Sequence, residues 1–321
     1  MTTEENMQYL RRGNLYVVGA GDEKGLDLSE MHFTFKVTAS DEQSPNAAMI
    51  RVYNLKADTV RAITGKSPVE YTRVVLQAGY EDGPYGVIFD GTIKQFRKGR
   101  ENATDTYLDI LAASGDVEYN WGVVNKTLAA GSTADERAAA IAEGMGLSIG
   151  HAAASPTGGV LPRGKVLWGM GRDMMRNEAV SRSASWTIQD GLINIVALSG
   201  YLPGEAVVLN MHTGLVGLPE QTQDGVRARC LINPRLRIGG LVQIDNTSIN
   251  QLLAQESQKL SVGQVTYNQW AGLQFPADVT NDGFYRLYVV EYTGDSRGQD
   301  WYCDLIGLAV DPSTQTVKAY G

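Results

Sequence analysis

Cysteine, histidine and proline are scarce in this chain, and each scarcity removes a class of function. Two cysteines, Cys230 and Cys303, among 321 residues cannot build the disulfide framework that small secreted domains need. Neither lies in a C-x-x-C spacing. With only three histidines, His32, His151 and His212, the chain is short of ligands for a structural zinc site. Each cysteine sits inside a strand-like run, which predicts two small buried hydrophobes. Ten prolines are too few for a proline-rich disordered chain. No run approaches the roughly 18–20 apolar residues of a membrane-spanning helix, so no membrane insertion is expected. The opening Met1-Thr-Thr-Glu-Glu-Asn6 lacks the basic segment and apolar run of a signal peptide, which predicts a protein kept in the cytoplasm until it is assembled. Basic residues are also in deficit: 28 Lys and Arg against 36 Asp and Glu leave a net charge of −8, a poor balance for general DNA binding.

Apolar residues and glycine are what the chain has in quantity. A hydrophobic content of 43% over this length is enough for two or three cores, and 36 glycines point to many turns. In His32-Phe33-Thr34-Phe35-Lys36-Val37-Thr38 apolar and polar residues alternate, which puts Phe33, Phe35 and Val37 on one face of a strand. Ala48–Tyr53, Arg73–Ala78, Val87–Phe96 and Thr106–Leu111 read the same way, separated by turn residues at 44–46, 81–84 and 98–100. Leu55–Ile63 predicts a short helix capped by Asn54. Short strands at this spacing, with no long crossover helices, predict an antiparallel barrel or sandwich.

The middle changes character. Thr133-Ala-Asp-Glu136 has capping-box spacing, after which Ala138, Ile141, Ala142 and Met145 share a helical face and Gly146 stops the helix. Ala152–Gly159 reads as a loop. Leu167, Met170 and Met174 predict a second helix over about 167–183. Trp186–Gln189, Asp190-Gly191 and Leu192–Ile195 make a hairpin with a type I′ turn. Strands return with Val226, Ala228, Cys230 and Ile232 on one side, Leu241–Ile244 after a Gly239-Gly240 turn, and a final pair over Tyr285–Tyr292 and Trp301–Leu308. The polar stretch from Asp245 to Phe284 reads as an insertion, with a short helix near Gln251–Gln255.

Sites of chemistry are missing from this pattern. The glycines in Val17–Gly25 lack G-x-G-x-x-G spacing and no helical pattern follows, so a turn between strands is the preferred reading over a dinucleotide loop. The glycines of Trp168-Gly-Met-Gly171 read as close packing. The histidines lie in unrelated contexts and no G-x-S-x-G elbow is present. Asp300 and Asp304 flank Trp301 and read as surface residues. Tyr285, Tyr288, Tyr292, Trp301 and Tyr302 form a C-terminal aromatic cluster; the last strand pair puts Tyr288 and Tyr292 on one side, and buried cross-strand pairing explains them better than a stacking platform for sugars or bases. No residue is assigned a catalytic, cofactor-binding or metal-binding role, and no cofactor is expected.

The order of β-domain, helix–helix–hairpin and β-domain carries a set of runs that, taken together, resemble one family. They are Ala47–Leu55, Gln77–Tyr80, Ile88–Ile93, Ser185–Gly191, Glu205–Glu220, Gly225–Leu236 and Gly298–Tyr302. The combination resembles the baseplate hub proteins of contractile phage tails; Asn246–Gln274 departs from the short turn expected there. The resemblance implies a mainly β fold in which two tube-like antiparallel β-barrel domains, 1–115 and 199–321, flank a small α+β domain at 116–198, with a long insertion at about 245–284. It implies a homotrimeric ring that adapts a sixfold tail tube to a threefold spike. It also implies partners among the spike, the tail tube or tube-initiator and other baseplate proteins, location in the virion tail, and DNA only passing through the lumen. The acidic total adds the expectation of a net-negative lumen. Another tail part, such as a tube-initiator or distal-tail ring, is the alternative within the same physics. A carbohydrate- or receptor-binding β-protein and a cell-wall hydrolase are the alternatives outside it.

Overall fold

Phe33, Phe35 and Val37 are buried while Lys36 between them is exposed, as a period of two demands. The computed structural model describes residues 8–18, 25–64, 72–153, 160–222, 225–244, 283–310 and 318–320. The expected loop at 154–159 and the expected insertion and helix between 245 and 282 lie outside the described residues.

Strand β1 (Arg11–Val18) folds back on β2 (Leu26–Asp27). Then come β3 (Phe33–Ser40), β4 (Ala47–Tyr53), α1 (Ala57–Thr64), β5 (Arg73–Tyr80), the long β6 (Tyr85–Arg100) and β7 (Thr106–Ala113). The middle of the chain holds α2 (Asp116–Trp121), β8 (Val123–Leu128), α3 (Ala134–Gly144), β9 (Ser148–Ala152), β10 (Lys165–Met170), α4 (Gly171–Ser181), β11 (Ala184–Gln189) and β12 (Leu192–Ala197). The last third holds β13 (Glu205–Leu209), β14 (Leu215–Thr222), β15 (Gly225–Leu231), β16 (Leu241–Ile244), β17 (Phe284–Asp295), β18 (Trp301–Ala309) and β19 (Lys318–Tyr320).

The chain is mainly β, and its first and last thirds share one large, mostly antiparallel sheet. Its pairing follows the same rule twice. In the first third β3 pairs β4, β4 pairs β7, β7 pairs β6 and β6 pairs β5. In the last third β14 pairs β15, β15 pairs β18, β18 pairs β17 and β17 pairs β16. Five consecutive strands thus adopt an identical pairing order in each unit. Side chains repeat as well. Arg51 reaches Asp109 across β4–β7 with bonds of 2.7 and 3.1 Å and stacks 4.0 Å over Tyr107. Arg229 reaches Asp304 across β15–β18 with bonds of 2.7 and 3.0 Å and stacks 4.3 Å over Tyr302. The two units join where β17 pairs β3, from Val289↔Ser40 to Asp295↔Thr34. One hydrophobic core, from Leu15 to Leu305, runs beneath both. Among the described residues the strand pairings trace an open path rather than a closed ring.

The middle stretch has its own core of Val124, Ile141, Met175, Trp186, Ile193 and their neighbours. The capping box forms as its spacing requires: Glu136 N–H donates to Thr133 Oγ1 and Thr133 N–H to Glu136 Oε2. Ala138, Ile141, Ala142 and Met145 are all buried, and Gly146 takes a φ of 77°. Asp190 and Gly191 have φ of 52° and 74°, as a type I′ turn needs. Two helix expectations need correction. The first four residues of the expected helix over 167–183 are strand: residues 165–170 pair with β8, and the helix begins only at Gly171. A side chain at Gly171 would collide with Met145, whose Cγ lies 2.3 Å from the ideal Cβ site, so close packing accounts for that glycine. Asn54 does not cap α1. It sits at φ 54°, donates to Asp105 and accepts from Thr106 N–H, and the helix starts three residues later.

Two buried ionic groups hold these parts. Glu178 on α4 is shared by Arg137 of α3 at 3.1 Å and Arg182 at 3.3 Å, all three buried. Arg286 of β17 is 2% exposed and bonds to all three stretches of the chain. It donates to Asp41 after β3, to Ser185 Oγ on β11 (2.9 Å) and to the carbonyls of Ala197 (2.7 Å), Leu198 and Gly200. Burial pushes the Asp41 carboxyl above its ordinary value, and Arg286 and Ser185 pull it partly back. Removing one partner leaves an uncompensated charge in the interior. Arg286→Met is therefore expected to lose about 3–5 kcal/mol in urea unfolding, and an Arg286→Met/Asp41→Leu double variant to recover most of it. A loss below about 1 kcal/mol for the single variant would show that this contact does not hold the three stretches together.

Candidate assembly surfaces

Among the described residues no group of three or more His, Cys, Asp and Glu side chains converges as a metal site. The histidines remain apart. His32 bonds to Asp295 at 2.8 Å and stacks on Tyr53 at 4.4 Å; His151 lies half-buried on β9, its pKa lowered by burial; His212 is exposed on a turn. The cysteines are both fully buried, and they stand directly opposite one another across β15–β18 as free thiols. Burial pushes the Cys303 thiol up and the Cys230 thiol beside it pushes it further, so Cys303 is not primed as a nucleophile. Asp304 is taken by Arg229 at the surface, and Trp301 is buried edge-on to Phe35. Tyr292 is buried and donates to the Leu236 carbonyl at 2.7 Å. Tyr288 does not share that burial. A register shift between Leu287 and Val289 breaks the alternation assumed for the strand and leaves Tyr288 half-exposed. No helix of the described residues is long and apolar enough to cross a membrane.

What the fold offers is surface, in two forms. The first is unpaired strand. Among the described residues β14 pairs only β15, so its other side faces no strand among them. It is interrupted by a register shift between Val216 and Glu220, with Gly217 at φ 73°, and it exposes Val216, Leu218 and Glu220. β7 pairs β6 over Thr92–Arg100, whereas β5 covers the other side of β6 only from Tyr85 to Thr92. Lys94–Arg100 on that side faces no strand among the described residues, and Lys94, Arg97, Lys98 and Arg100 are exposed. The second form is the β8–β10 ribbon. Residues directly opposite in an antiparallel pair share a face, so Val123, Asn125 and Thr127 align with Met170, Trp168 and Val166. Leu167 and Val124 point into the core, while Val166 and Trp168 are 68% and 75% exposed, and Trp121, two residues before the ribbon, is 70% exposed. Isolated exposed apolar residues need no explanation, but Val123, Val166 and Trp168 exposed together on one face of a ribbon mark a contact surface.

Sequence reading missed both forms, because it placed β10 in a helix and overlooked β14. One signal was present: Tyr107-Leu-Asp109 and Tyr302-Cys-Asp304 repeat a Tyr-x-Asp run at the same strand of each unit.

Comparison with known proteins now bears on the fold. A family model described as baseplate hub gp41 matches residues 48–267. The chain belongs to this baseplate hub family. The hub chain is thus a structural, mainly β component of a phage tail baseplate. Solved structures with the same fold include the 43 kDa tail protein of prophage MuSo2 from Shewanella oneidensis, at TM-score 0.55 and 10% identity over 92% of this chain and 98% of that one. A tail protein from Neisseria meningitidis MC58 aligns at TM-score 0.56 and 8% identity, covering 94% and 97%. The E. coli c3393 protein, a component of the type VI secretion system, aligns at 0.51 and 8%, covering 92% and 77%. No curated protein sequence matches the hub chain.

At the joint between the units Asp295 accepts from His32 and from the backbone N–H groups of Arg297 and Gly298. Burial raises this carboxyl, but those bonds outweigh it and leave it below its ordinary 3.8. A depressed carboxyl stabilises the fold above its unfolded value, and that gain is lost as pH falls through the folded value. Asp295→Asn is expected to cost roughly 1 kcal/mol at pH 7, and the difference from wild type to begin shrinking as pH falls below about 3.8 and to vanish only below the lower folded value. A difference that persists unchanged at low pH contradicts this assignment.

Proposed function

We propose that the hub chain forms a homotrimeric ring in a contractile phage tail, joining a sixfold tail tube to a threefold central spike. The observation that carries this is the duplicated five-stranded unit. Two like units in one chain, repeated three times, present six similar elements to a tube and three identical chains to a spike. On this reading residues 1–115 and 199–321 are the tube-like domains, with barrel character completed in the assembly, and 116–198 is a separate α+β domain.

Closed rings need a heterologous interface whose rotation closes. Such an interface uses two different surfaces of the same chain, and the open strands of β14 and β6 are two such surfaces. The exposed Trp121, Val123, Val166 and Trp168 give the α+β domain a face for other baseplate proteins. DNA passes through the lumen, and the net charge of −8 keeps the chain from holding it. The protein works in the virion tail, assembled in the host cytoplasm, with spike, tube or tube-initiator and other baseplate proteins as partners.

Light scattering on the purified hub chain over a range of concentrations tests the ring. The expected mass is three times the 34.8 kDa of one chain. A mass that stays at one chain at every concentration, with and without the spike protein, overturns the proposal. Trp168→Lys is expected to leave stability within about 0.5 kcal/mol of wild type. It should also reduce co-purification of the ring with neighbouring baseplate proteins while the ring itself stays intact.

A further inference from the structure

The two equivalent units are not equally satisfied. In the last third, β17 is covered on one side by β18; its other side is shared between β16, up to Arg286, and β3, from Val289 onward. In the equivalent strand of the first unit, β6, the second half, Thr92–Arg100, is covered by β7 on one side, while β5 covers the other side only over the first half, Tyr85–Thr92. The half that corresponds to the β3 joint is empty among the described residues. Likewise β3 has both sides paired, while its equivalent β14 has one. Each chain thus carries one complete joint, β3 on β17, and the two separated halves of a second, β14 and β6.

The register lets this equivalence be carried to single residues. Arg51 corresponds to Arg229 and Asp109 to Asp304. Lys36 lies opposite Met49, two residues before Arg51; Glu220 lies opposite Arg227, two residues before Arg229. Glu291 lies opposite Asp304; Arg97 lies opposite Asp109. Lys36 therefore corresponds to Glu220, and Glu291 to Arg97. Within the chain Lys36 and Glu291 form an ion pair of 2.7 Å across the β3–β17 joint. The corresponding residues carry the opposite signs and remain complementary. Among the described residues Glu220 has no ion-pair partner, and Arg97 donates a hydrogen bond to the Gln95 side chain.

We infer that a second copy of this chain supplies the missing strand: β14 of one copy pairs antiparallel with the Lys94–Arg100 half of β6 in the next. The register places Thr222 opposite Arg97 and Glu220 opposite Gly99, with Glu220 of one copy forming an ion pair with Arg97 of its neighbour. This rests on the ring reading above and gives it its contact. The joint covers open backbone N–H and C=O groups on both strands, which an exposed edge otherwise offers to any passing chain. It also repeats between chains the joint made within each, which is what six near-equivalent positions from three chains require.

Charge reversal tests it, using two exposed residues outside the core. Glu220→Arg alone and Arg97→Glu alone place like charges at the joint, and each is expected to raise the concentration of half-association by about tenfold or more. Glu220→Arg with Arg97→Glu restores a pair and is expected to return association close to wild type. Salt should weaken the single-variant effect. If wild type associates and neither reversal changes its midpoint, or the double variant is worse than both singles, the ring is built by another contact and this inference fails while the ring reading stands. If wild type never associates, both fail.

Discussion

A single buried arginine holds the three stretches of this chain in one arrangement. Arg286 comes from the last third, meets its counter-charge at Asp41 in the first, and directs its two terminal NH2 groups also to Ser185 and to the carbonyls of Ala197, Leu198 and Gly200. A guanidinium that is 2% exposed is tolerable only when its charge is compensated and most of its donors are bonded. Each of the three stretches must therefore be in place for any one of them to be comfortable. That constraint suits a chain whose function lies in the relative placement of its surfaces rather than in a pocket.

The duplicated unit explains why placement matters. Two five-stranded units share a pairing order, a cross-strand Arg–Asp pair and a tyrosine under the arginine, yet they differ in what surrounds them. One gives its first strand to the other through β3 and β17. Among the described residues the other keeps its first strand, β14, paired on one side only, and one side of the Lys94–Arg100 half of β6 is likewise unpaired. The free half-strand is lined with lysine and arginine and the free edge carries Glu220. This inverts the polarity of the internal joint, where Lys36 and His32 meet Glu291 and Asp295. Opposite charges at each joint favour the right neighbour and penalise wrong ones.

Much of this was legible in the residues. Period-two runs located β3, β4, β15 and β18, and the capping box and Asp190-Gly191 turn were found from spacing alone, since local hydrogen bonds and positive φ decide them. Where local pattern and tertiary context disagree, context prevailed. Leu167, Met170 and Met174 keep helical spacing, yet residues 165–170 gain more by completing a ribbon with β8, and Gly171 must slide under Met145. Asn54 looks like a cap but reaches across to Asp105 and Thr106. The Cys230–Cys303 opposition and the Tyr288 bulge depend on register, which no window of sequence contains. The assembly surfaces were the least legible because Val216, Lys94 and Trp168 carry no chemistry of their own. Only the pairing around them shows what is left open.

The most direct measurement is an averaged end-on electron-microscope view of the purified hub assembly. The account predicts a ring with threefold symmetry and six similar lobes around a central hole, alternating between two kinds, with the α+β domains outside. A ring with three lobes, or an assembly with twofold symmetry, would contradict the claim that the two units of each chain occupy near-equivalent positions.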